Sequence, residues 1–202
     1  MNPALLALAV HDIKNALGIL EGDLATMTQQ PCAGLAERAY RQCAQLRQRL
    51  VAFLTLYACG GSLSAHPADE SPEEFLAGLL HVAIRPDDAP LRIGPCRSVP
   101  AFWYFDEQLL RMALEAGLHN AWRFARTDVV LDARVSDGFL IFRIDDDGPG
   151  LRGQDPTALT STGLGTELCE AVARAHRAGG RCGHVTLQDR PEGGCRFELW
   201  IP

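Results

Sequence analysis

Leu6, Val10, Ile13, Leu17, Leu20, Leu24 and Met27 follow one another in alternating steps of four and three. That spacing keeps one stripe of an α-helix apolar at the period of a coiled-coil seam, which is stable only against another apolar surface. Pro31-Cys32-Ala33-Gly34 then breaks the helix. Residues 35–58 carry a second apolar side, with Leu35, Ala39, Cys43, Leu46, Leu50, Phe53, Leu54 and Tyr57. Two helices joined by a short turn make a hairpin, and one hairpin leaves too much of its seam in water. The expectation is that two copies pair into a dimeric four-helix bundle.

The run after residue 60, Gly60-Gly61-Ser62-Leu63-Ser64-Ala65-His66-Pro67, is rich in helix breakers and reads as a linker. The chain is therefore expected to divide into a helical hairpin, residues 1–60, and a second domain, residues 69–202. Ser71-Pro72-Glu73-Glu74 has the cap serine, first-turn proline and acids of a helix start, and that helix is expected to run to about Ile84. Short strands are expected at 91–93 and 101–104, and a helix at 107–124 capped by Asp106. Hairpins are expected at 129–144 about Ser136-Asp137-Gly138 and at 185–201 about Pro191-Glu192-Gly193-Gly194. Between the two hairpins a helix over 167–178 is stopped by Gly179-Gly180. The second domain reads as α+β, with helices on one face of a mainly antiparallel sheet.

Composition narrows the function classes. A chain of 202 residues with 47% hydrophobic content buries one or two cores. Its formal net charge of −6 and lack of a basic run argue against nucleic acid as a partner. The 7 cysteines contain no C-x-x-C pair, so neither a zinc site nor a disulfide framework is signalled. No apolar run reaches the roughly 18 residues of a membrane span, and no signal peptide is evident. No membrane insertion and a cytoplasmic location are expected.

Chemistry concentrates in four places. The strand Phe139-Leu140-Ile141-Phe142-Arg143-Ile144 runs into Asp145-Asp146-Asp147-Gly148-Pro149-Gly150. A carboxylate there accepts a hydrogen bond from an exocyclic amine, and the glycines let backbone approach a ligand closely. Further on, Thr162-Gly163-Leu164-Gly165 opens a helix, and a helix N-terminus suits phosphate. This glycine pair lacks the third glycine of a dinucleotide fingerprint and the Gly-Lys of a P-loop. Asn120 and Arg123 share a face of the 107–124 helix, where an amide oxygen suits magnesium and a guanidinium suits phosphate. His11, beside the seam, has Asp12 adjacent and Asn15 one turn on. A neutral imidazole is a competent nucleophile toward phosphorus. His119, Asp145 and Asp147 are open to a plainer reading, as solvated or locally bonded groups.

In this order and spacing the four segments resemble the catalytic core of two-component sensor histidine kinases, and the resemblance covers essentially the whole chain. His11-Asp12-Ile13-Lys14-Asn15 is similar to the phosphoacceptor box, and Asn120-Ala121 with Arg123-Phe124 to the N box. Asp146-Asp147-Gly148-Pro149-Gly150 resembles the box that holds adenine, and Thr162-Gly163-Leu164-Gly165 the second glycine box. The resemblance implies a helical hairpin followed by an α/β sandwich of the histidine-kinase-type ATPase fold. It implies ATP and magnesium, with phosphorylation of His11, Asp12 as its base, and Asn15 placing a water. Asn120 would ligate magnesium and Asp146 would bind the adenine amine. Arg123, Gly148, Gly150, Thr162, Gly163 and Gly165 would complete the ATP site. The partners implied are a second copy, the receiver domain of a response regulator, and an upstream sensor protein.

Two departures stand out. Ala116 occupies the position, one turn before Asn120, where the family often has an asparagine or acid, and the segment between the glycine boxes is short. They keep open an ATP-independent histidine phosphotransferase, or a non-catalytic regulator of a kinase or receiver. Another ATPase of the same nucleotide fold, of the gyrase or anti-sigma-factor kinase type, is disfavoured by the His11 box on a dimerising hairpin.

Overall fold

The computed structural model describes residues 3–58, 63–82, 92–94, 99–151 and 163–202, with the backbone alone at 3–9, 58, 80–82 and 93. Helices α1 (Pro3–Gln29) and α2 (Ala33–Ala58) form the expected antiparallel hairpin. Arg38 of α2 grips Asp23 of α1 through two hydrogen bonds, from Nε at 2.8 Å and Nη2 at 2.5 Å. The heptad seam divides by its two alternating positions. Ile13, Leu20 and Met27 turn toward α2, with Leu20 only 8% exposed, whereas Val10, Leu17 and Leu24 remain 51%, 44% and 41% exposed.

After the hairpin come β1 (Ala68–Glu70), α3 (Pro72–Val82), β2 (Arg92–Ile93), β3 (Trp103–Phe105), α4 (Glu107–Phe124), β4 (Val129–Ser136) and β5 (Phe139–Asp146). Next are α5 (Leu164–Ala175), β6 (Arg177–Ala178), β7 (Arg181–Cys182), β8 (His184–Asp189) and β9 (Cys195–Ile201). The main sheet has the order β2-β4-β5-β9-β8, antiparallel except for the β2–β4 pair. Its helical face carries Leu140, Phe142 and Ile144 of β5, paired with Ile201, Leu199 and Phe197 of β9. Phe75, Phe105 and Phe142 meet edge to face, with ring centroids 5.3 to 5.9 Å apart, and join α3, β3 and β5 in one core. Ala52 and Leu56 of α2 belong to the same core.

α4 lies across the sheet because of its sequence. Asp106 caps it, accepting from the Leu109 N–H at 3.0 Å. The stripe Leu110, Ala113, Leu114, Gly117, Leu118 and Ala121 is buried. Gly117 sets the depth of contact: a Cβ there would stand 2.9 Å from Ile144 Cδ1 and 3.3 Å from Phe197 Cε1.

Four expectations need correction. β5 runs on to Asp146, so both Asp145 and Asp146 are strand residues. The expected 167–178 helix spans Leu164–Ala175, and Gly179-Gly180 turns the small β6–β7 hairpin instead of ending the helix. His176 breaks it, donating from Nδ1 to the Val172 carbonyl at 2.8 Å while its Nε2 accepts the Asp106 N–H at 3.0 Å. The expected 101–104 strand is Trp103–Phe105, and it pairs with β1, a strand the sequence reading passed over. The end of α3 near Ile84, part of the linker, Thr162 and most of the segment between the glycine boxes lie outside the described residues.

Candidate functional site

Side-chain alternation along β5 sends its two last acids to opposite faces. Asp145 shares the outer face with Arg143, and Arg196 across the ladder grips it through Nε and Nη2, both at 2.8 Å. Asp146 has the parity of Ile144 and turns to the helical side. Its Oδ1 accepts the Gly148 N–H at 2.8 Å and the Cys195 N–H at 3.3 Å. Hydrogen bonds to the Asp146 carboxylate from described residues all fall on that oxygen, so Oδ2 is the one available to a ligand. Burial pushes the carboxyl up, the two N–H groups oppose that, and Asp147 nearby adds to the rise.

The glycines around Asp146 are there for closeness. A Cβ on Gly148 would stand 2.5 Å from the Phe124 carbonyl oxygen, at the end of α4. One on Gly194 would fall onto the Asp146 carbonyl oxygen. Gly150 sits at φ +78°, a left-handed conformation natural to glycine, with Asp189 against its α-carbon. Arg190 donates from Nη1 to the Asp146 carbonyl at 2.7 Å.

The second half of the site is a cavity of about 270 Å³ between α2, α4 and α5. Its α4 wall is Glu115, Ala116, His119, Asn120 and Arg123, and its α5 wall begins at Gly163, Gly165 and Thr166. Gly163 caps α5 with φ +69° and no side-chain cap. A Cβ on Gly165 would lie 3.8 Å from Ala116 Cβ and 3.9 Å from Asn120 Nδ2, so Asn120 stands at the mouth of a helix N-terminus. His119 is not a solvated group: burial, aided by Arg49 and Arg123, lowers its pKa to about 4, and it is neutral at pH 7.

This chemistry fits a magnesium–nucleotide complex. Among the described residues no group of three His, Cys, Asp or Glu could hold a metal alone. Magnesium typically takes one or two protein oxygens and completes its shell with water and phosphate. Asn120 beside a helix N-terminus offers that arrangement.

His11 forms a separate cluster on α1. Its ring is 66% exposed while Asp12 is 13% exposed. Nδ1 lies 3.5 Å from Asp12 Oδ1 and 3.1 Å from Asn15 Nδ2. Asn15 Nδ2 can donate to Nδ1 only in the tautomer protonated on Nε2; when Nδ1 carries the proton, Asp12 Oδ1 is the acceptor beside it and the lone pair lies on Nε2.

Thus Asn120, Arg123, Gly163 and Gly165 surround one cavity, Asp146, Gly148 and Gly150 form a neighbouring cradle, and His11, Asp12 and Asn15 stand together on the hairpin. The sequence reading missed Arg47, Gln48 and Arg49 of α2 in the cavity wall. It also missed Arg190 and Cys195 behind Asp146. The α2 residues left one trace: Asp12 and Arg49 are offset from Asp23 and Arg38 by the same number of residues on each helix.

Comparison with known proteins shows what this chain is similar to. Residues 105–202 match the family described as histidine kinase-, DNA gyrase B-, and HSP90-like ATPase. The chain is 27% identical to the sensor protein KdpD of Escherichia coli (strain K12) over 222 aligned residues, covering 98% of this chain and 24% of KdpD. Among solved structures, the Acinetobacter baumannii histidine kinase AdeS superposes with a TM-score of 0.70 at 20% identity, covering 95% of this chain and 96% of that one. Full-length ShkA in complex with AMPPNP gives 0.61 at 19% identity, covering 100% of this chain and 46% of that one. The superpositions show that the chain has the fold of these histidine kinase structures, residues 105–202 match the histidine kinase-, DNA gyrase B-, and HSP90-like ATPase model, and the sequence is similar to the sensor protein KdpD. It spans about a quarter of KdpD's length. No helix among the described residues is long and apolar enough to cross a membrane.

Proposed function

We propose that the chain is a cytoplasmic histidine kinase core that uses ATP to phosphorylate His11 and passes the phosphoryl group to an aspartate of a response regulator. The observation that carries this reading is the His11 cluster: the ring is 66% exposed and Asp12 stands beside Nδ1 to take its proton, in a chain whose residues 105–202 match a family of histidine kinase-like ATPases. Residues 1–60 act as the dimerising phosphoacceptor hairpin and residues 69–202 as the ATP-binding domain.

Asp146 Oδ2 accepts the adenine amine, and Gly148 and Gly150 admit the base. Gly163, Gly165 and Thr162, with Arg123, hold the triphosphate. Asn120 ligates magnesium, which supplies charge neutralisation on the phosphate oxygens. Asp12 takes the Nδ1 proton as Nε2 attacks phosphorus, and Asn15 later places the water that hydrolyses the phosphorylated partner. That ShkA was crystallised with AMPPNP, and that KdpD is a sensor protein, supports a nucleotide at this site and an input from a sensor protein.

One observation favours a second reading, an ATP-independent phosphotransferase. Ala116, facing Gly165, presents a methyl group at the phosphate end where the family often has a polar ligand. Calorimetry with magnesium and ATP separates the two. The kinase reading expects micromolar binding that Asp146→Asn removes. Absence of binding to the wild type would leave the phosphotransferase.

A further inference from the structure

Arg49 of α2 lines the cavity. The Asp23–Arg38 pair fixes the register of the hairpin, with Asp12 eleven residues before Asp23 and Arg49 eleven after Arg38. Eleven residues are about three helical turns, which returns both positions to the same facing sides. Burial depresses the Arg49 guanidinium, Asp12 acts on it in the opposite sense, and Arg123 adds to the depression. α2 is held in place by contacts just beyond Arg49. Ala52 and Leu56 are buried in the core, Thr55 Oγ1 donates to Met112 Sδ at 3.9 Å, and Gln48 lines the cavity with Glu115. Arg49 therefore forms part of the wall facing Asn120, Arg123 and Gly165.

The cavity's charge calls for an anion. Among the described residues its lining holds Arg47 and Arg49 of α2 across from the N-terminus of α5, with Glu115 as the carboxylate. Guanidinium groups facing a helix N-terminus favour an anion between them.

We propose that Arg49 is a phosphate-binding residue supplied by the helical hairpin, holding the terminal phosphate of a bound nucleoside triphosphate. The proposal rests on the nucleotide site of the preceding section. A nucleoside diphosphate ends one phosphate short of Arg49, so the guanidinium distinguishes a triphosphate from a diphosphate.

Calorimetry with magnesium–ATP and magnesium–ADP on the wild type, Arg49→Gln and Arg49→Lys tests this, with melting curves to confirm folding. The expected result for Arg49→Gln is ATP binding weaker by about 10-fold, as for loss of one charge-assisted hydrogen bond, with ADP binding unchanged. Arg49→Lys should fall between. Unchanged ATP binding, or equal loss of ATP and ADP, would overturn the proposal while wild-type ADP binding leaves the nucleotide site standing. A wild type that binds neither nucleotide would overturn both.

Discussion

Asp147 takes the backbone N–H of Thr127 between its two carboxylate oxygens, at 3.0 Å from Oδ1 and 2.9 Å from Oδ2. It also accepts from the Arg126 N–H at 2.8 Å and the Thr127 hydroxyl at 2.5 Å. The residue next to Asp146 thus ties down the turn that follows α4. The helix bearing Asn120 and the strand bearing Asp146 are fixed to each other there. Burial works to raise the Asp147 carboxyl, but the Thr127 hydroxyl and the surrounding N–H groups outweigh it and hold it well below the usual carboxylate range.

Replacing Asp147 with alanine should therefore affect both stability and binding. The clamp is partly in water, so its loss should cost about 1 kcal/mol in urea unfolding. ATP affinity should fall as well, because the N box and Asp146 lose their fixed spacing. Full ATP affinity in Asp147→Ala would show that the turn does not position the site.

Gly148→Ala should be worse than its size suggests. The added methyl meets the Phe124 carbonyl oxygen at 2.5 Å and Asp146 Oδ1 at 2.8 Å, and a backbone atom yields less readily than a flexible side chain. Overpacking of this kind costs about 2 kcal/mol. Nucleotide affinity should drop more than 10-fold, since Asp146 Oδ1 is the atom displaced. Calorimetry and a melting curve read the two effects separately.

His176 makes stability depend on pH. Its ring is buried and neutral, donating through Nδ1 and accepting through Nε2. Burial lowers its pKa from the ordinary 6.5, although Val172 and Asp106 oppose this. Burial first, with Arg49 and Arg123, takes His119 down to about 4. Both folded-state values lie below the unfolded value, so the unfolded chain binds more protons below pH 6.5. Stability should be full above that pH and fall as pH drops toward the folded values, by up to about 1.4 kcal/mol per pH unit for each histidine. Urea unfolding between pH 7.5 and 5 should show the slope, and His119→Gln should flatten it.

The parts of the fold that were legible in the sequence were those set by periodicity. The heptad steps marked α1, and the alternation in 139–144 marked β5. What escaped was set by contacts distant in sequence. His176 ends α5 through a bond to Asp106, a residue 70 positions away, and no local signal distinguishes it from a helical histidine. β1 is a strand because β3 is there to pair with it. At the site, Asp146 could be assigned a face by alternation once the strand was known to reach it. The arginines of α2 could not, because nothing in α2 says which helix it will lie against.

The alternate exposure of the α1 seam bears on assembly. Val10, Leu17 and Leu24 form an open apolar line beside the one buried in the hairpin. Sedimentation should show a dimer for the wild type and a monomer for the double variant Leu17→Glu, Leu24→Glu, because charged side chains in a packed seam cannot be solvated. A wild-type monomer would remove the four-helix bundle.

The most direct test of the account is transfer of the terminal phosphate of ATP to the protein, followed with γ-labelled ATP and magnesium on the wild type, His11→Ala and Asp146→Asn. The account predicts acid-labile label on the wild type, none on His11→Ala, and none on Asp146→Asn. Label that persists on His11→Ala, or a wild type that binds ATP and remains unlabelled, would contradict it.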